Sequence, residues 1–172
     1  MAKHYAIADI HGMYDIYEQV KEKLAPDDIV YFLGDAGDRG YDSWKCIKAI
    51  YNDPQWIYLK GNHEDLMVKG LKETYTNSFY DNDSHFLWMY NGGKPTEDEW
   101  LNDGMDISWI YKLDSLPYTA EYTNPLGYIF HMSHAGYTCG KEPLDKSQYL
   151  WDRGHFYNKW NEEKYNKDIC QC

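Results

Sequence analysis

The chain has 172 residues, 43% of them hydrophobic and 26% charged, with 28 acidic against 17 basic side chains and a formal net charge of −11. That length makes a single domain spanning 1–172, with one sizeable core that needs no disulfide or metal merely to fold. The acidic balance speaks against a general nucleic-acid or anionic-membrane binder, because its field repels phosphate, so any phosphate chemistry must be local. Four cysteines, Cys46, Cys139, Cys170 and Cys172, are too few and scattered for a disulfide scaffold. With no leader pattern at the N-terminus and no long apolar window, the expectation is reduced thiols in a cytoplasmic protein. The dispersed tyrosines and tryptophans read as core and rim packing.

In chain order, residues 4–9 read as a buried strand ending in Asp9, followed by Ile10-His11-Gly12. A helix follows, with Ile16, Val20 and Leu24 on one stripe and Pro26 closing it. Residues 28–33 form a second apolar strand running directly into Gly34-Asp35-Ala36-Gly37-Asp38-Arg39-Gly40. A second helix fits 42–51, with Trp44, Ile47 and Ile50 on its inner face. A third strand over 55–60 leads into Gly61-Asn62-His63-Glu64 and a third helix.

Strands alternating with helices predict right-handed crossovers in a parallel sheet, whose ligands sit beyond the carboxyl ends of the strands. The three polar strings should therefore converge on one sheet edge. Residues 72–113 show no clean period and predict short helices capping the sheet, with a loop at Asn91-Gly92-Gly93. Residues 118–132 read as a hairpin turning at Asn124-Pro125-Leu126-Gly127 and delivering Ser133-His134-Ala135-Gly136. The tail from about residue 158 is polar and charged.

Asp9, His11, Asp35, Asp38, Asn62, His63 and His134 offer carboxylate, imidazole and amide donors without thiolate, a set suited to Mn, Fe, Zn or Mg. Asp35, on the middle segment, is the natural bridge between two ions. Each string alone also fits a helix cap or a tight turn. Three of them, each directly after a predicted parallel strand and about 25 residues apart, point to a site.

Together the three strings resemble the signature of the calcineurin-like metallophosphoesterases. The Asp-Arg-Gly and Asn-His-Glu segments are similar to those of serine/threonine phosphoprotein phosphatases, most closely the lambda-type bacteriophage and bacterial members. Asn91-Gly92-Gly93, Leu116-Pro117, Ser133-His134-Ala135-Gly136 and Trp151-Asp152-Arg153 extend the likeness over residues 5–153.

The resemblance implies an α/β metallophosphoesterase fold of two mixed sheets flanked by helices. It implies two divalent metal ions, manganese first with iron or zinc as alternatives, held by Asp9, His11, Asp35, Asn62 and His134. His63 would be the general acid, oriented by Asp38, while Arg39, Arg153 and Asn62 would bind the phosphoryl group. The implied activity is phosphoprotein phosphatase, with a dinucleoside polyphosphate hydrolase as the alternative and a catalytically impaired phosphoprotein-binding module as a reading of another class. The expected partner is a phosphoprotein or a phosphorylated small molecule, with no nucleic acid and no membrane.

One departure stands out: no strand ending in Gly-His follows Arg153, so the C-terminal strands and one ligand of the second metal are expected to be missing. His131, His155 or the Cys170/Cys172 pair could stand in for that ligand. An exposed sheet edge left by the missing strands could pair two copies of the chain as a homodimer.

Overall fold

Ile29-Val30-Tyr31-Phe32, an uninterrupted apolar run, forms the middle strand of a parallel sheet, where cover on both faces buries Val30, Tyr31 and Phe32 and leaves Ile29 half-buried. A computed structural model describes residues 2–76, 83–136 and 146–152. Arg153, His155, Cys139, Cys170 and Cys172 therefore lie outside the described residues, as does the polar tail.

The first sheet has the order β1-β2-β3, with β1 at His4–Ile7, β2 at Ile29–Phe32 and β3 at Trp56–Tyr58. Both pairings are parallel, with Tyr5 opposite Val30 and Tyr31 opposite Ile57. Helices α1 (Tyr14–Lys21) and α2 (Ser43–Asn52) make the connections. Trp44, Ile47 and Ile50 of α2 are buried as their spacing predicts.

Two expectations need correcting. Strand β1 is not buried: Tyr5 and Ala6 are exposed, since β1 lies at the edge of the described sheet. On α1 the core-facing residues are Tyr14, Tyr17 and Val20, whereas Ile16 is 38% exposed. Tyr17 turns inward because its hydroxyl donates to Asp53 at 2.8 Å, satisfying the polar end of an otherwise apolar side chain.

Helix α3 (Asn62–Tyr75) is followed by three short helices, α4 (Ser84–Tyr90), α5 (Lys94–Asn102) and α6 (Ser108–Asp114). Trp88, Trp100, Ile110 and Leu113 from these helices are fully buried in the core beneath the first sheet. The hairpin β4 (Thr119–Thr123) and β5 (Ile129–Ser133) forms the second, antiparallel sheet. Ala120, Tyr122 and Met132 pack on Tyr31, Leu33 and Leu59, fixing the hairpin to the other face of the first sheet. A last turn, α7 (Gln148–Trp151), is tied to the end of the hairpin by Ala135 N–H donating to the Tyr149 carbonyl at 2.7 Å. No helix among the described residues is long and apolar enough to cross a membrane.

The sheet continues beyond its strand ends as paired loops. Asp9 N–H donates to the Gly34 carbonyl at 3.1 Å, His11 N–H to Asp35 at 3.0 Å and Gly12 N–H to Ala36 at 2.7 Å. Glu64, buried to 1% exposure, joins the second loop to the third. Its carboxylate accepts from the backbone N–H of Asp35 (2.8 Å), Ala36 (2.9 Å) and Gly61 (2.8 Å), and from the Tyr58 hydroxyl (2.7 Å). The loops touch backbone to backbone here, and a Cβ on Gly34 would fall 2.4 Å from Gly61 Cα.

Glu64→Ala would leave three buried amide donors and a phenol without an acceptor. The expected loss is about 3–5 kcal/mol in unfolding free energy, measured by urea denaturation; a loss under about 1 kcal/mol would show that the carboxylate is not the tie between the loops.

Candidate active site

The loops after β1 and β2 are bent back on themselves. Asp9, His11, Asp35, Asp38 and Arg39 all have positive φ, between 43° and 68°, a region costly for side chains other than glycine. Such conformations persist only where the surroundings enforce them, and here the loop–loop hydrogen bonds do so. Gly92, at φ 100°, accepts the Arg39 N–H on its carbonyl at 2.9 Å and brings the backbone so close to the Arg39 side chain that a Cβ would overlap Cγ at 2.8 Å.

The bends bring Asp9, His11, Asp35, Asn62, His63 and His134 together. His11 Nδ1 donates to the Gly37 carbonyl at 2.9 Å and His134 Nδ1 to the Leu33 carbonyl at 2.9 Å, so each imidazole turns its Nε2 lone pair into the cleft. Burial lowers the pKa of His11, opposed by the hydrogen bond to Gly37 and aided by the nearby His63 and Arg39 charges.

Asp35 is the common element. Its Oδ1 accepts the His63 backbone N–H at 3.0 Å, while Oδ2 lies 3.7 Å from His11 Nε2 and 3.6 Å from His134 Nε2. Asp9 Oδ1 is 3.9 Å from His11 Nε2. Donor atoms on one ion, each about 2.1 Å from it, lie within about 4.2 Å of one another. All three separations fit that limit, with a single Asp35 oxygen facing both histidines.

Two groups of candidate ligands emerge, His11–Asp35–His63 and Asp9–Asp35–His134, and both contain Asp35. The second groups Asp9 with His134, although Asp9 Oδ1 also lies 3.9 Å from His11 Nε2.

Asn62 completes the second half. Its side-chain oxygen sits 2.8 Å from His134 Nε2, and half a turn of the amide instead lets the nitrogen donate to Asp35 Oδ2 at 2.9 Å and to His134. Three acceptors facing one another are what a cation resolves, whereas the turned amide satisfies them without one. With Asp35 common to both candidate ligand groups, the donor set fits two divalent ions. His131 Nδ1 pairs with Glu121 Oε1 at 2.6 Å across the hairpin, and among the described residues it belongs to neither candidate ligand group.

His63 faces the same cleft from the N-terminus of α3. Its Nδ1 bonds Asp38 Oδ2 at 2.7 Å, both side chains being nearly fully buried. Arg39 spans the floor, with Nη1 donating to His11 Nε2 at 2.9 Å and Nη2 to His63 Nε2 at 2.8 Å.

Asp38 has partners the sequence did not identify. Trp88 Nε1–H reaches its Oδ2 at 3.0 Å and its Oδ1 at 3.1 Å, and the Thr96 hydroxyl reaches Oδ1 at 2.6 Å. The one available signal was Asn91-Gly92-Gly93, lying between these two residues.

Without a cation, burial pushes the Asp35 carboxyl up to about 9, aided by the Glu64, Asp9 and Asp38 charges and opposed by the His63 N–H. The folded protein then holds a proton that the unfolded chain releases near pH ~4. The stability this one group contributes is full below ~4, falls as pH rises and is gone above about 9. Thermal unfolding in chelator should show this decline between about pH 5 and 8, and excess Mn²⁺ should flatten it; equal slopes with and without metal would contradict the site. Asp35→Asn should lose the metal response altogether, measured by calorimetric titration.

The calcineurin-like phosphoesterase family model matches residues 3–170. A symmetrical bis(5'-nucleosyl)-tetraphosphatase of Wigglesworthia glossinidia brevipalpis is 37% identical over 65 residues, 36% of this chain and 24% of its own length. The corresponding enzyme of Legionella pneumophila (strain Lens) is 36% identical over 70 residues, 39% of this chain and 25% of its own. These matches thus span about a quarter of the relatives' length. The solved structure of a diadenosine tetraphosphatase candidate superposes with a TM-score of 0.53 at 15% identity, over 84% of this chain and 59% of that one, and shows the shared fold. With the family match running almost end to end and its three loop strings gathered around Asp35, the chain belongs to the calcineurin-like phosphoesterase family.

Proposed function

We propose that the protein is a metal-dependent hydrolase of dinucleoside polyphosphates that cleaves within the polyphosphate bridge. The observation that carries the hydrolytic reading is the Asp35 oxygen facing His11 and His134 at once, an arrangement suited to two ions. The tetraphosphatase relatives support the substrate class ahead of phosphoserine or phosphothreonine proteins, the reading first suggested by the Asp-Arg-Gly string. A protein-phosphatase activity remains the second reading, on the resemblance of that string.

When bound, two divalent ions, with manganese the first candidate, would acidify a water and offset charge on the phosphoryl oxygens. The remaining work falls to the chain. Arg39, a forked donor, matches two phosphoryl oxygens. As it turns to them it releases His63 Nε2, which can then take up a proton from solvent and pass it to the leaving oxygen. Asp38 keeps the His63 Nδ1–H fixed and stabilises the charged ring. Arg153, outside the described residues, is proposed as a second phosphoryl ligand.

The two substrate classes differ in leaving group. A serine alkoxide is strongly basic and needs the proton, whereas a nucleotide phosphate leaves readily without it. Diadenosine tetraphosphate should therefore be cleaved with higher kcat/KM than a phosphoserine peptide. His63→Asn should cost about 10²–10⁴-fold on a basic ester such as phenyl phosphate and less on the anhydride. Faster turnover of the phosphopeptide would favour the second reading, and wild-type rates no higher than those of His63→Asn on every substrate would contradict catalysis by His63.

A further inference from the structure

We infer that Trp88 and Thr96 form a buried clamp on Asp38 that sets the proton-donating geometry of His63, and that both are positioning residues for leaving-group departure. The inference rests on the assignment of His63 as the general acid.

Asp38 has few degrees of freedom left. Its Oδ1 accepts from the Thr96 hydroxyl at 2.6 Å and from the Trp88 indole N–H at 3.1 Å, and its Oδ2 accepts from the same N–H at 3.0 Å and from His63 Nδ1 at 2.7 Å. The Thr96 oxygen in turn accepts the Asp38 backbone N–H at 2.9 Å, so one hydroxyl holds both ends of the residue. Asp38 stands at φ 66°, a backbone position that needs such support.

Trp88 and Thr96 are both 0% exposed and come from different helices, α4 and α5. A hydrogen bond to a fully buried carboxylate is strong and directional, and water cannot replace it. With both oxygens held, the carboxylate plane is fixed and Oδ2 stays on His63 Nδ1. The ring is then held in one tautomer with Nε2 toward the cleft.

The clamp also explains Asn91-Gly92-Gly93, which the metal site leaves without a role. A Cβ on Gly93 would fall 2.5 Å from Trp88 Cε2 and Nε1, so the chain can pass the indole there only as glycine. Gly92 meanwhile fixes Arg39 through its carbonyl. A single turn thus seats the ring that holds Asp38 and anchors the arginine beside it.

The test uses Trp88→Phe, which removes the N–H and keeps a ring, and Thr96→Val with Thr96→Ser as the conservative control. Rates on the Mn²⁺-loaded enzyme are measured over a series of aryl phosphates of increasing leaving-group basicity. The clamp predicts a kcat deficit that grows with basicity, reaching about tenfold on phenyl phosphate, with KM changed less than kcat and Thr96→Ser recovering most of the rate. Combined with His63→Asn, Trp88→Phe should add almost nothing. A deficit uniform along the series, or one additive with His63→Asn, would overturn the inference.

Nitrogen-15 spectra of the His63 ring in Zn²⁺-loaded protein decide independently of turnover. Wild type should show the Nδ1-protonated tautomer and the Trp88→Phe/Thr96→Val double variant a mixture, while identical spectra would overturn the clamp. Absence of wild-type turnover with a tautomer change intact would reject the hydrolase reading alone.

Discussion

Four hydrogen-bond donors converge on the buried carboxylate of Glu64, and the geometry of the site depends on that convergence. Asp35, Ala36 and Gly61 contribute backbone N–H groups and Tyr58 its hydroxyl. A buried charge with four donors is stable only in that environment, so the loops after β2 and β3 cannot separate without exposing or stranding it. The loop after β1 is joined to the same unit by backbone bonds to Gly34, Asp35 and Ala36. Residues distant in sequence therefore share one rigid edge, and the left-handed backbone of Asp9, His11, Asp35, Asp38 and Arg39 is held against its own preference.

From that edge the chemistry follows in layers. Backbone carbonyls of Gly37 and Leu33 orient His11 and His134, leaving their Nε2 atoms for a cation. Asp35 divides its two oxygens, one holding the start of α3 and one facing both histidines. Around this lies a second buried carboxylate, Asp38, whose partners are Trp88, Thr96 and His63. On the proposed reading one carboxylate organises charge for the cations and the other organises a proton. On the proposed reading the negative net charge of the chain is no obstacle to a phosphate substrate, because attraction would be local to the cations and Arg39.

Much of the inner layer was legible in the sequence. Three apolar runs, each ending in Asp, His, Asn and Gly about 25 residues after the last, could hardly be arranged other than as neighbouring parallel strands with their polar ends together. His134 was found because a hairpin strand ends on it. What escaped was tertiary. Glu64 was visible as part of a string, but nothing local says that its carboxylate reaches back to the residues after β2. Trp88 and Thr96 lie in short helices whose burial comes from several directions, so no period marks an inner face. The exposure of β1 and the outward turn of Ile16 were missed for a related reason: strand order and a tyrosine's hydrogen bond, rather than hydrophobicity, decide them.

The central claim is that these loops present one Asp35 oxygen to two cations. Anomalous diffraction at the manganese edge, from crystals grown with Mn²⁺, tests it most directly. The account predicts two peaks flanking Asp35, one beside Asp9 and His11 and the other beside Asn62 and His134. A single peak, or peaks that leave Asp35 bound to only one ion, would contradict it.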